Sequence, residues 1–210
     1  MTKGLFISFE GGDGSGKSTQ FRLFAEYLRN RGFDVVTTRE PGGTRISEKI
    51  RGILLDPECT EMGSLTEALL FAASRAQHVD ELIRPSVEAG KIVLCDRFVD
   101  SSIVYQGFGR GLGEQVASIN SYAVRGLYPD VTFLLDVSPE LGRRRNGKTG
   151  KNDRLENQSM EYHSMVAEGY RKLAAAEPER FIVIDASADI EKVSSDIIRA
   201  FEARYPKLEP

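Results

Sequence analysis

Cysteine is scarce in this chain, two in 210 residues, and histidine is equally rare. Cys59 and Cys95 stand far apart, and Cys95 ends an apolar run. A buried reduced thiol is therefore expected there, in place of a disulfide or a metal ligand. His78 and His163 lack metal-ligand spacing and are read as structural. No apolar stretch approaches the length of a membrane span, and the first residues lack the apolar core of a secretory signal. The expectation is a cytoplasmic protein with no membrane partner. Positive charge is not in excess, since the formal net charge is -3, and this gives no global reason to expect nucleic-acid binding. Internal repeats and low-complexity linkers are missing as well. The length suits one α/β domain with a full core and is too short for two.

What is present is concentrated near the start. The apolar run Leu5-Phe6-Ile7-Ser8-Phe9 meets Glu10-Gly11-Gly12-Asp13-Gly14-Ser15-Gly16-Lys17-Ser18-Thr19, and a helical pattern follows. Gly11, Gly16, Lys17 and Ser18 fit the spacing G-x-x-x-x-G-K-[ST] of a phosphate-binding loop. Glycines let the backbone curl so that N–H groups converge on phosphate oxygens at a helix N-terminus, where the dipole also favours anions. Lys17 can place a point charge on the β- and γ-phosphates, and the Ser18 hydroxyl is placed to bind Mg²⁺. This is a nucleoside-triphosphate site.

Further along, Phe21, Phe24, Ala25 and Leu28 form one helical stripe, closed by Gly32. Strands are predicted over 34–38, 91–95, 131–137 and 180–185, after the first over 5–9. Helices are predicted over 45–55, 64–88 (with Pro85 kinking or breaking its last turns), 114–125, 139–145, 155–176 and 190–204. In the 64–88 helix the buried stripe is read as Leu65, Leu69, Ala72, Ala76, Val79 and Ile83, with Phe71, Arg75 and His78 flanking it. The glycine-punctuated stretch 106–111 is read as irregular, and Ile190, Val193, Ile197 and Phe201 as inward. Strands alternating with helices imply a five-stranded parallel sheet with helices on both faces, an α/β P-loop NTPase fold. Ligands then gather at its carboxyl edge, where the phosphate loop, residues 39–44, Asp96-Arg97 and the segment after Val137 converge.

A phosphate loop alone does not separate kinases from GTPases or ATPases. The guanine-selecting Asn-Lys-x-Asp pattern is missing, and Asp96 is followed by Arg97 instead of the x-x-Gly of a GTPase switch. The chain is also small for a motor ATPase, which leaves small-molecule kinases. Phe9 to Thr19, Thr38-Arg39-Glu40-Pro41-Gly42-Gly43, Leu70-Phe71-Ala72-Ala73-Ser74-Arg75, Asp96-Arg97-Phe98-Val99-Asp100-Ser101-Ser102, Tyr105-Gln106-Gly107 and Asp153-Arg154-Leu155-Glu156 follow one another in this order. Together they resemble the thymidylate kinase family, in its bacterial type, over nearly the whole chain. The resemblance implies transfer of the γ-phosphoryl of ATP to dTMP with Mg²⁺, giving ADP and dTDP, and a homodimer. Two other readings stay open. One is a related nucleoside monophosphate kinase; the other is a nucleotide-binding regulator that has lost turnover.

The same resemblance distributes roles. ATP falls to residues 11–19 (Gly11, Gly12, Asp13, Gly14, Ser15, Gly16, Lys17, Ser18 and Thr19) and to Arg145. For dTMP, Phe71 corresponds to the aromatic platform under thymine, and a stacked base gains about 1–3 kcal/mol. Arg75 corresponds to the donor to a thymine carbonyl. Arg97 and Arg39 match contacts to the acceptor phosphate, where a planar guanidinium fork suits bidentate binding. Asp13 resembles the carboxylate at the deoxyribose 3′-OH, and Tyr105 the residue packed under the sugar. Pro41, Ser101, Ser102 and Gln106 match further positions around base and sugar. Ser18 and Asp96 are the Mg²⁺ candidates, Asp96 through water, with a purely structural carboxylate as the alternative for Asp96. Phe98 stands where the family often has Tyr or His.

No general base is expected, because a phosphate monoester with a second pKa of about 6 is mostly dianionic at neutral pH. The obstacle is bringing two anions together, so catalysis should be positioning and charge neutralisation. Lys17, Arg97 and Asp13 are the candidates in the fixed part. The loop's variable positions 12–15 supply no arginine, whereas the segment 143–154 holds Arg143, Arg144, Arg145, Lys148, Lys151 and Arg154 with glycines at 147 and 150. It is expected to be a mobile lid that supplies the missing guanidinium, Arg154 first and Arg145 second.

Overall fold

The computed structural model describes residues 4–146 and 159–210. Five strands form one sheet in the order β2-β3-β1-β4-β5, and every neighbouring pair is parallel. They are β1 (Leu5–Glu10), β2 (Val35–Arg39), β3 (Ile92–Asp96), β4 (Val131–Asp136) and β5 (Phe181–Asp185). Between them run α1 (Lys17–Asn30), α2 (Arg45–Leu55), α3 (Ser64–His78), α4 (Arg84–Glu88), α5 (Val99–Ser102), α6 (Glu114–Val124), α7 (Pro139–Asn146), α8 (Met160–Ala176) and α9 (Ile190–Arg204).

Helices cover both faces because the strand residues alternate between two apolar partners. Ile7, Phe9, Leu94, Phe133 and Leu135 pack with Phe24 and Leu28 of α1 and with Val193, Ile197 and Phe201 of α9. Phe6, Val93 and Cys95 pack on the opposite face with Val79, Ile83, Val87, Phe98 and Val124. A third cluster joins Leu134 and Phe181 to Tyr162, Val166 and Tyr170 of α8. Phe133 is fully buried and touches the rings of both Phe9 and Phe24; truncating it to alanine would cost roughly 3–5 kcal/mol. Cys95 is a buried free thiol, as expected, and Gly32 ends α1 in the left-handed region at φ +93°.

Register prepares the site. Arg39 lies beside Asp96, and Asp96 beside Phe9, so the last residues of β2 and β3 and the next-to-last residue of β1 form one row at the carboxyl edge.

Four expectations change. The buried face of α3 is Glu67, Ala68, Phe71, Ala72, Ser74, Arg75 and His78, whereas Leu65 and Leu69 are half-exposed. Hydropathy periodicity missed this face because its polar members are buried with hydrogen-bond partners, which composition cannot reveal. After His78 the helix continues through a wide π turn over Val79–Ile83 into α4. Pro85 sits near the start of α4, where its missing N–H is harmless, so the chain widens there without breaking. The stretch Ile103–Gly109 is also π-helical, continuing α5. Glycines on both sides serve close packing with α8: a Cβ at Gly109 would come within 2.6 Å of the Tyr162 ring, and one at Gly169 of α8 within 3.1 Å of Phe108. Ile190 is half-exposed at the first position of α9, while Val193, Ile197 and Phe201 are inward.

Candidate active site

The loop between β1 and α1 turns on Gly11, Gly14 and Gly16, all at positive φ (143°, 73° and 88°). Such angles are open to glycine and strained for other residues. Gly16 caps α1, so the positive end of a 14-residue helix faces the loop. Lys17 is buried, and its Nζ donates to the carbonyls of Gly11 (3.1 Å) and Gly12 (3.4 Å). Burial, and then the charge of Arg97, pull its ammonium down to about 8. Among the described residues the buried Ser15 hydroxyl has no hydrogen-bond partner. α7 presses on this loop: a methyl group at Gly14 would overlap the Gly142 carbonyl, and one at Gly142 would meet the Asp13 carbonyl at 2.5 Å.

Arg97 follows β3 and crosses to the loop. Its guanidinium donates to Asp13 Oδ1 (2.7 Å), the Gly11 carbonyl (3.1 Å), Ser101 Oγ (3.2 Å) and Tyr170 OH (3.4 Å), and it lies over the Tyr105 ring. Arg97 itself sits at φ +70°, a conformation that costs a residue bearing a Cβ about 1–2 kcal/mol. Behind it lies Glu10, wholly buried at the end of β1. Glu10 accepts hydrogen bonds from Phe98 N (2.7 Å), Ser101 Oγ (2.6 Å) and Tyr170 OH (2.8 Å). Burial and the neighbouring Asp100 push its carboxyl up to about 7. Asp100 is itself buried, paired with Arg180 at 2.6 Å.

On the α3 side Phe71 is buried one turn from Arg75. Arg75 donates to Glu40 (Nε, 2.8 Å), Ser102 Oγ (3.0 Å), Asn120 and the Phe98 carbonyl (3.0 Å). Glu40 also receives His78, whose other ring nitrogen meets Thr38 Oγ1 at 2.7 Å. The Pro41 carbonyl accepts from Arg51, and Arg39, about half exposed, is paired with Glu48 at 2.6 Å. Gln106 is buried and donates to Glu67 (2.9 Å). Among the described residues the buried Tyr105 hydroxyl has no hydrogen-bond partner; burial holds its acidity far below that of an ordinary phenol.

Ser18 lies exposed in the first turn of α1, with Thr19 half-buried next to it. At the end of β3, Asp96 Oδ1 is buried with no hydrogen-bond partner among the described residues. Among the described residues no three His, Cys, Asp or Glu side chains gather as a metal cage. One orphaned carboxylate oxygen and one hydroxyl beside a phosphate loop nevertheless fit Mg²⁺, which keeps several waters and takes its other ligands from substrate phosphates.

Of the sequence-predicted residues, Gly11, Asp13, Ser101 and Tyr105 thus gather around Arg97, whereas Arg75 and Ser102 belong to a second network and Arg39, Pro41 and Gln106 have partners of their own. Arg145 points elsewhere, donating to the carbonyls of Ala186 (2.7 Å) and Ser187 (3.1 Å) after β5. Arg154 lies outside the described residues, as does most of the expected lid. Sequence reasoning missed Glu10, Glu40 and Tyr170. A charged residue closing an otherwise apolar strand was a usable signal for Glu10; Tyr170 had none, because only the fold brings α8 to Arg97.

Comparison with known proteins adds the family. The family model described as Thymidylate kinase matches residues 9–197. The thymidylate kinase of Symbiobacterium thermophilum is 54% identical over 205 residues, covering 97% of this chain and 95% of that protein. That of Geobacillus sp. (strain WCH70) is 50% identical, covering 94% and 96%. The crystal structure of thymidylate kinase from Ehrlichia chaffeensis superposes with a TM-score of 0.79 at 37% identity, covering 96% of this chain and 99% of that one.

Proposed function

The chain belongs to the thymidylate kinase family and phosphorylates dTMP to dTDP with ATP; we propose that it does so with the following residues. Residues 11–19 cradle the triphosphate of ATP, and Lys17 neutralises its β- and γ-oxygens. Ser18 and Asp96 hold Mg²⁺, which when bound supplies further positive charge across those oxygens. Thymine stacks on Phe71. Arg75, fixed by Glu40, shares an N–H with a thymine carbonyl, with Ser102, Gln106 and Pro41 around the base. Tyr105 packs under the sugar and Asp13 takes its 3′-OH, with Ser101 alongside. Arg97 and Arg39 grip the acceptor phosphate. Arg154 closes over the transferred phosphoryl, and Arg145 borders the adenine side.

The observation that carries this reading is the 2.7 Å contact between Arg97 and Asp13. It joins an acceptor-side arginine to the phosphate loop itself, so the phosphates of donor and acceptor are gripped from one point. Attack needs no base, because the acceptor oxygen is already anionic and the cations lower the repulsion between the two phosphates. Lid closure over 143–154 would exclude water, whose attack on ATP would waste it.

The whole chain acts as one kinase domain, in the cytoplasm, without nucleic-acid or membrane partners. No described helix is long and apolar enough to cross a membrane. It works as a homodimer, supported by half-exposed Ile46 and Ile53 on α2, Leu65 and Leu69 on the adjacent α3, and exposed Tyr122 on α6. Light scattering on Leu69→Asp should show a monomer where the parent is a dimer.

The deciding experiment is a substrate panel of dTMP, AMP, CMP, GMP and thymidine, each with ATP and Mg²⁺. Turnover of dTMP well above all others is expected; preference for another monophosphate would overturn the assignment of the base site. Arg154→Ala should cut kcat far more than it raises the KM for dTMP, and near-normal turnover would remove the lid from the mechanism.

A further inference from the structure

Glu10 has no part in the chemistry described so far, yet it is a buried acid directly behind Arg97. It is fully buried, and its three hydrogen bonds come from neutral groups: Phe98 N–H, the Ser101 hydroxyl and the Tyr170 hydroxyl. Burying an acid among neutral donors is costly, and an apolar side chain would fill that space more cheaply. All three donors belong to the surroundings of Arg97. Phe98 is its chain neighbour, and the Phe98 N–H bond fixes the peptide that follows the left-handed Arg97. The oxygens of Ser101 and Tyr170 each face Arg97 Nη1, at 3.2 and 3.4 Å.

We propose that Glu10 is the positioning residue for Arg97: its carboxylate holds the Arg97–Phe98 backbone and turns the hydroxyls of Ser101 and Tyr170 so that their lone pairs face the guanidinium. Glu10 touches no ligand and acts only through Arg97. A hydroxyl that donates to the carboxylate keeps its oxygen free to accept from Nη1. An amide at position 10 would still accept from Phe98 N–H, but its own NH₂ group would force at least one hydroxyl to accept from it. The Ser101 and Tyr170 hydroxyls both face Glu10 Oε2 and lie 2.8 Å from each other, so with the amide donating to both, one hydrogen passes to the neighbouring hydroxyl and the other turns towards Arg97 and pushes the guanidinium out of line. The proposal rests on the reading that Arg97 grips the acceptor phosphate.

The test compares binding of dTMP and thymidine, which differ only by that phosphate, using calorimetry on Glu10→Gln, Tyr170→Phe, Arg97→Ala and the Glu10→Gln/Arg97→Ala double variant. Arg97→Ala should lower the preference for dTMP over thymidine about 100-fold, as expected for losing charge-assisted hydrogen bonds, and Glu10→Gln about tenfold. Thymidine itself should bind Glu10→Gln within about twofold of the parent, and the double variant should lose no more than Arg97→Ala alone. Tyr170→Phe removes one of the two oriented oxygens, should lose about threefold, and serves if Glu10→Gln does not fold. If Arg97→Ala loses the preference while Glu10→Gln, or Tyr170→Phe in its place, keeps it, the positioning role is overturned and the role of Arg97 stands. Equal weakening of thymidine and dTMP would show a general structural role and overturn it too. An unchanged preference in Arg97→Ala would overturn the reading of Arg97 and the proposal with it.

Discussion

Arg75 and Arg97 are both enclosed guanidinium groups at the same sheet edge, yet the fold treats them differently. Arg75 is 1% exposed, and its nitrogens are taken by Glu40, Ser102, Asn120 and the Phe98 carbonyl, all parts of the scaffold. Arg97 keeps about a fifth of its side chain exposed, and its shortest ion pair is to Asp13, a residue of the phosphate loop that is itself about a fifth exposed. Arg75 therefore can meet a ligand only by sharing an N–H that the scaffold already holds, whereas Arg97 holds a partner that a ligand can share or replace. The two arginines are equally visible in sequence. What separates them is whether the companion carboxylate is buried or reachable.

The sharpest way to break this contrast is to remove each arginine in turn. Arg75→Ala leaves the Glu40 carboxylate buried opposite only His78 and should cost about 3–5 kcal/mol of stability, seen as a fall of about 10 °C in Tm. Arg97→Ala should cost far less stability, since Asp13 can turn to solvent, while turnover of dTMP falls at least about 100-fold from the loss of charge-assisted bonds in the transition state. If Tm falls equally for both, the scaffold and ligand roles are not separated as argued.

Lys17 sharpens the comparison by adding pH. Its ammonium titrates at about 8 in the free protein, held down by burial and by Arg97. Bound phosphate restores its affinity for the proton, so the charged form is the one that binds. ATP affinity should hold steady up to about pH 8 and then weaken by about tenfold per pH unit, until the lysine of the complex also titrates. Lys17→Arg keeps its charge throughout and should show no such slope between about pH 8 and 9.5. A parent enzyme whose ATP affinity is flat over that window would mean that Lys17 is neither buried nor coupled as described.

Much of this was legible in the chain, and the gaps have a physical pattern. Glycine spacing, apolar strands and the arginines that close β2 and follow β3 are local signals, so the parallel sheet and the phosphate loop could be read directly. Hydropathy misled on α3, because Arg75 and His78 are buried as members of a satisfied network and not as apolar residues. Glycine density misled over Ile103–Gly109, where the missing side chains let helices approach and do not interrupt them. Tyr170 and Glu10 meet across 160 residues, a separation that no local pattern can bridge.

Arg39 supplies the finest test. Like Arg97, it is paired with a carboxylate at the sheet edge, but Arg39 and Glu48 are each nearly half exposed. The hydrogen bond from Arg39 holds the Glu48 carboxyl down at about 2, helped by the Gly43 N–H. An exposed pair of this kind contributes at most about 1 kcal/mol, so solvent and salt already compete for it. If Arg39 reaches the acceptor phosphate, it must leave or share Glu48, and that carboxylate is then a mild competitor of dTMP. Glu48→Gln should strengthen dTMP binding by up to about threefold and leave thymidine unchanged, with the difference shrinking as salt is raised. Weaker dTMP binding in Glu48→Gln would reverse the logic: Glu48 would then be aiming Arg39 as a fixed partner, and the exchangeable class would be reduced to the Arg97–Asp13 pair.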